Sequence, residues 1–60
     1  MKTVIDTNDG KLLYCITNEV LENDYNNVLP QGQTAINEVC TIETTEPVYW
    51  NFETEIFYTK

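Results

Sequence analysis

The chain has 60 residues, 42% of them hydrophobic, and ten acidic side chains against three lysines give it a formal charge of −7. A chain this short forms a single domain and buries only about 60% of the surface that its unfolded form exposes, so its stability margin is thin. Without arginine it lacks the basic footprint of a nucleic-acid binder, and it has no apolar run long enough for a membrane span.

The first element in chain order is a hairpin. Val4 and Ile5 on one side and Leu12 to Ile16 on the other flank Asp6-Thr7-Asn8-Asp9-Gly10, where Asp9-Gly10 supplies the positive φ of a tight turn. In the second strand, strict alternation puts Leu12, Tyr14 and Ile16 on one face and Leu13 and Cys15 on the other, which suggests a central strand or a subunit contact. Met1 to Ile5 runs directly into polar Asp6-Thr7-Asn8 with no apolar stretch between, so no signal peptide is expected.

From Asn18 to Pro30 the positions of Val20, Leu21, Tyr25 and Val28 fit one or two helical turns, whereas four asparagines oppose a stable helix. The expectation is an irregular connection, with room for a short helical turn, whose Val20, Leu21 and Tyr25 plug one end of the core. Pro30-Gln31-Gly32-Gln33 reads as a turn. Thr34 to Thr45 is rich in β-branched residues and reads as a strand carrying Cys40 and Ile42 on one face and Val39 on the other. A helical turn over Thr34 to Glu38, capped by Thr34, is the alternative.

Five of the seven aromatic residues fall between Tyr49 and Tyr58. Asn51, Glu53, Thr54 and Glu55 interrupt them, which predicts two short aromatic strands folded back on each other, with Trp50 and Phe52 on one side and Tyr49 on the other. Asp6 to Tyr14 and Asn51 to Tyr58 share an order: a polar turn, then apolar residues and a tyrosine. Two such hairpins joined by a longer connection predict an all-β fold, a small antiparallel sheet of four or five strands.

Chemistry is sparse. The chain has neither histidine nor serine, which removes the ordinary nucleophile and base pairs, and Cys15 and Cys40 have no zinc-ligand spacing. One bridge between these cysteines would contribute about 3 kcal/mol in an oxidising compartment; in a reducing one they are free thiols serving as small apolar groups, the expected state here. Neither a catalytic residue nor a cofactor or metal site is expected, and the chain reads as a non-enzyme. What remains is surface. Tyr14, Tyr49, Trp50, Phe57 and Tyr58 are candidate anchors for a protein partner or for another copy of the chain, since exposed rings on a small domain mark an interface. Asp24, Glu38, Glu43, Glu46, Glu53 and Glu55 are a candidate acidic surface for a basic groove, and stacking of the rings on sugars is a further alternative.

The opening Met1 to Asp6, the stretch Asp9-Gly10-Lys11-Leu12-Leu13-Tyr14 and the closing Trp50 to Tyr58 resemble short β-rich accessory and tail-fibre-associated proteins of tailed bacteriophages. That resemblance implies a virion or assembly component that docks on a larger phage protein or self-associates, located in the virion or the host cytoplasm. The acidic alternative implies a phage-encoded inhibitor of a host protein that imitates nucleic acid.

Overall fold

A computed structural model describes all 60 residues. The elements are β1 (Lys2–Asp6), β2 (Leu12–Ile16), α1 (Asn18–Tyr25), β3 (Gln33–Ile36), β4 (Val48–Asn51) and β5 (Ile56–Thr59). The five strands form two small antiparallel sheets, one ordered β2-β1-β3 and the other β4-β5, and the expected all-β architecture stands with one short helix added. A single antiparallel bridge, Lys11 to Tyr49, links the sheets.

The central strand is β1, not β2. Thr3, Val4 and Ile5 are fully buried, as residues covered on both faces of a sheet must be. β2 lies at the edge, with Leu13 39% exposed and Cys15 exposed. The single face expected for Leu12, Tyr14 and Ile16 is broken by a bulge. Val4 pairs with Tyr14 but Ile5 pairs with Leu12, leaving Leu13 as the extra residue. Slipping one position moves Leu12 to the face of Ile5, while Tyr14 and Ile16 stay with Val4.

On the Val4 face, Val4, Ile16 and Leu21 form the core cluster, with Tyr14, Leu29 and Ala35 packed around it. Leu21 is delivered by α1, which is a complete helix where sequence composition argued for an irregular connection. Three of the four asparagines stand at its ends, Asn18 in the first position and Asn26 and Asn27 just past the last, and only Asn23 lies inside it. Thr17 is the N-cap, its hydroxyl accepting from the Val20 N–H at 3.1 Å. Asn26 and Asn27 both adopt the left-handed conformation that asparagine tolerates, and the N–H groups of both converge on the Leu21 carbonyl. Of the expected plugs only Leu21 is buried, for Val20 and Tyr25 are 39% and 36% exposed. A turn then follows, with the Gln33 N–H donating to the Pro30 carbonyl and Gly32 at φ 88°.

The strand expected from Thr34 to Thr45 stops at Ile36, and the helical alternative over Thr34 to Glu38 does not form. β1 is five residues long and offers pairing only to Gln33–Ile36, so the backbone beyond has no ladder to join. Residues 37–47 run without regular structure, tied down by the Thr3 hydroxyl donating to the Glu38 carbonyl at 2.5 Å. Val39 and Ile42 remain 48% and 38% exposed, and Cys15 and Cys40 are free thiols. No helix is long and apolar enough to cross a membrane.

The two hairpins use the same loop. In Thr7–Gly10 the Gly10 N–H donates to the Asp6 carbonyl, the Asp6 carboxylate accepts from the Asn8 N–H, and the last loop residue has φ 80°. In Phe52–Glu55 the Glu55 N–H donates to the Asn51 carbonyl, the Asn51 side chain accepts from Glu53 and Thr54, and the last loop residue has φ 57°. Only the final loop position is left-handed in each, so Asp9 does not share the positive φ expected for a tight two-residue turn.

Candidate docking surface

The second hairpin carries the aromatic residues as two cross-strand pairs. Tyr49 opposes Tyr58 and Trp50 opposes Phe57, and because successive strand residues face opposite ways the pairs occupy opposite faces. The tyrosine rings stack with centroids 5.9 Å apart and planes 29° apart, while Trp50 and Phe57 meet at 4.6 Å and 58°, a tilted arrangement suited to the ring quadrupole. The Lys60 ammonium lies 4.2 Å from the Tyr49 ring centroid, so the positive charge caps the tyrosine face.

Trp50 is the anchor of this hairpin in its own molecule. It is 6% exposed, and its backbone N–H donates to the Gly10 carbonyl at 2.8 Å. Gly10 is buried too, and a Cβ on it would collide with the Trp50 carbonyl oxygen. The first loop therefore presses its glycine against the backbone of β4, which seats the aromatic hairpin on the three-stranded sheet.

The sequence-derived anchors separate accordingly. Tyr49, Phe57 and Tyr58 are half-buried on the hairpin, and Trp50 is committed to the interior. Tyr14 belongs to the first sheet, where its hydroxyl donates to Gln33 Oε1 at 3.0 Å. Burial holds this phenol above its ordinary value, with Tyr25 a smaller contributor in the same direction. Phe52, expected to share the Trp50 face, stands in the loop instead and is 52% exposed. Ile56, next to the loop, is 59% exposed. Sequence reasoning missed both as surface anchors. The signal was available for Phe52 alone, a ring inside the polar stretch Asn51 to Glu55.

Two open depressions flank the hairpin tip. One, of about 390 Å³, is lined by Asn8, Asp9, Trp50, Phe52 and Tyr58 among others. The other, of about 430 Å³, lies between the end of β3 and the tip and is lined by Ile36, Asn37, Glu38, Trp50, Phe52 and Glu55 among others. A third, of about 320 Å³, opens beside the helix at Leu21, Asn27, Leu29 and Ala35. The tip thus offers an exposed ring and an exposed aliphatic side chain with the carboxylates of Glu53 and Glu55 beside them.

Asp24, Glu38, Glu43, Glu46, Glu53 and Glu55 are all exposed, but they spread over α1, the 37–47 segment and the second loop. Only Glu38 and Glu55 line a common depression, and no group of three or more Cys, Asp or Glu side chains gathers to hold a metal ion. Comparison with family models, curated proteins and solved structures finds no match for this chain.

Proposed function

We propose that the chain is a non-enzymatic binding protein that docks on a larger protein through the tip of its C-terminal hairpin. The observation that carries this reading is the exposure of Phe52 and Ile56 at the end of a hairpin whose Trp50 is buried against the rest of the chain. A hairpin seated on its own sheet by Gly10 and Trp50 presents the tip at a fixed angle, so little ordering entropy is lost on binding. Together with the resemblance above, this supports a phage virion or assembly component whose target is another phage protein.

The test is capture of a partner from infected cells by immobilised wild-type chain and by a Phe52→Ala, Ile56→Ala double variant. Wild type retains its partner as salt is raised, and the double variant loses it while melting at the wild-type temperature. Equal capture by both overturns the reading.

The acidic alternative, occupation of a basic groove on a host protein, is favoured by one observation: Glu38 and Glu55 share the depression that Phe52 lines. Its signature is opposite. An electrostatic mimic releases its partner steeply between low and moderate salt, since exposed charges are screened beyond about 8 Å at physiological ionic strength.

A further inference from the structure

We infer that the free edge of β5 pairs with β5 of a second copy of this chain, in one register. The inference rests on the reading of the C-terminal hairpin as the docking element and names the occupant of its edge.

Trp50 gives its N–H to Gly10, away from β5, so the pair Trp50 to Phe57 is one whose backbone groups point outward on both strands. Alternation then aims the N–H and C=O of Phe57 and Thr59 at the open side of β5, and those of Ile56 and Tyr58 at β4. No turn or loop bond engages Phe57 or Thr59. Ile56–Thr59 also lacks three of the devices that guard an edge: it has no charge, no proline and no bulge, whereas edge strand β2 is bulged at Leu13.

The same geometry selects the register. An antiparallel pair must set outward residues opposite outward residues. Placing Phe57 opposite Phe57 would call on the N–H of Glu55, already given to Asn51. Placing Phe57 opposite Thr59 of the second copy, and Thr59 opposite its Phe57, satisfies every outward group on both chains. Tyr58 then meets Tyr58 on the two-fold axis, which extends the Tyr49–Tyr58 stack through both molecules. Lys60 lies opposite Ile56 of the second copy and one position from its Glu55. The only cation of this hairpin, which caps the Tyr49 ring within its own chain, thereby comes beside the acidic tip of the other chain.

Sedimentation and amide exchange across a protein concentration series test the pairing. Wild type is expected to pass from monomer to dimer, with the Phe57 and Thr59 amides gaining protection as it does and those of Ile56 and Tyr58 protected throughout. Thr59→Pro removes an outward donor without touching the β4 pairing, deletes half of the bonds between copies, and should weaken the dimer by about tenfold to thirtyfold at unchanged far-ultraviolet dichroism. Phe52→Ala, altered at the tip only, should dimerise like wild type; loss of partner capture by Phe52→Ala with dimerisation intact separates the two readings. A chain that stays monomeric, a dimer in which the Phe57 and Thr59 amides exchange as freely as in the monomer, or a folded Thr59→Pro that dimerises like wild type each overturns the pairing. Should Thr59→Pro not fold, the exchange pattern of wild type decides alone.

Discussion

Replacing Gly10 by alanine should be far more damaging than the same change at Gly32, although both glycines have nearly the same backbone conformation, φ 80° and 88°. The left-handed region penalises an L-residue by roughly 1–2 kcal/mol at either site. At Gly32 nothing lies near an added Cβ, so that penalty is the whole effect. At Gly10 the Cβ meets the Trp50 carbonyl oxygen, a backbone atom that β4–β5 pairing holds in place and that cannot step aside as a flexible side chain would. The loop must withdraw, and the Trp50 N–H to Gly10 carbonyl bond at 2.8 Å breaks with it. A hydrogen bond lost with its donor left buried removes about 1–3 kcal/mol more. A domain of this length has a total stability of roughly 3–9 kcal/mol. Gly10→Ala therefore removes roughly a fifth or more of the total, and its midpoint should fall about 8–24 °C below that of Gly32→Ala. Thermal melts followed by far-ultraviolet dichroism give the difference, and Trp50 fluorescence reports whether the hairpin has come away from the sheet. Equal losses in the two variants would refute the claim that the Gly10 contact joins the sheets.

Three further outcomes are expected. Thr17→Ala removes the helix cap and should lower stability by about 1 kcal/mol, read as a lower urea midpoint at an unchanged slope. Glu55→Gly relieves the left-handed conformation at φ 57° and should raise stability by about 1 kcal/mol, with a matching rise in melting temperature. Tyr14 contributes to alkaline sensitivity: its folded pKa stands above the unfolded value of 10.0, so the neutral phenol favours the folded state at lower pH, and that contribution is lost as pH rises from about 10 through the folded value. Denaturation of Tyr14→Phe across pH 9–12 should show a shallower loss of stability than wild type, and an identical slope would remove Tyr14 from the account.

Both hairpins were legible in the sequence because each combines a polar, Asx-containing turn with apolar flanks, and the Asx residues Asp6 and Asn51 accept the loop N–H bonds in the fold. The two aromatic strands β4 and β5 followed from the same pattern, but their ring pairs did not. What could not be read locally was set by partners elsewhere in the chain. The bulge at Leu13 depends on the register against β1, and the end of β3 at Ile36 depends on how far β1 extends. The short helical turn allowed for between Asn18 and Pro30 is α1, and it runs longer than expected because Asn26 and Asn27, weighed as interior residues, stand past its end. On the aromatic hairpin, Tyr49, Trp50, Phe57 and Tyr58 were found together, but the exposed pair Phe52 and Ile56 depends on where the loop begins, and strand boundaries are weakly encoded in single residues.

The repeated loop points to what distinguishes the two ends of the molecule. Gly10 and Glu55 occupy the same left-handed position in equivalent loops, yet only Gly10 is pressed against another backbone. Glycine is required at the buried joint, while at the free tip the fold tolerates a glutamate that strains the backbone and adds charge beside Phe52. The left-handed backbone closes the loop through the bond from the Glu55 N–H to the Asn51 carbonyl, but the Glu55 side chain makes no hydrogen bond within the chain. If Glu55→Gly stabilises the fold but weakens partner capture, the carboxylate acts at the docking surface and its strain is retained for binding. If capture is unchanged, the tip acts through Phe52 and Ile56 alone, and the glutamate at this position carries no binding role.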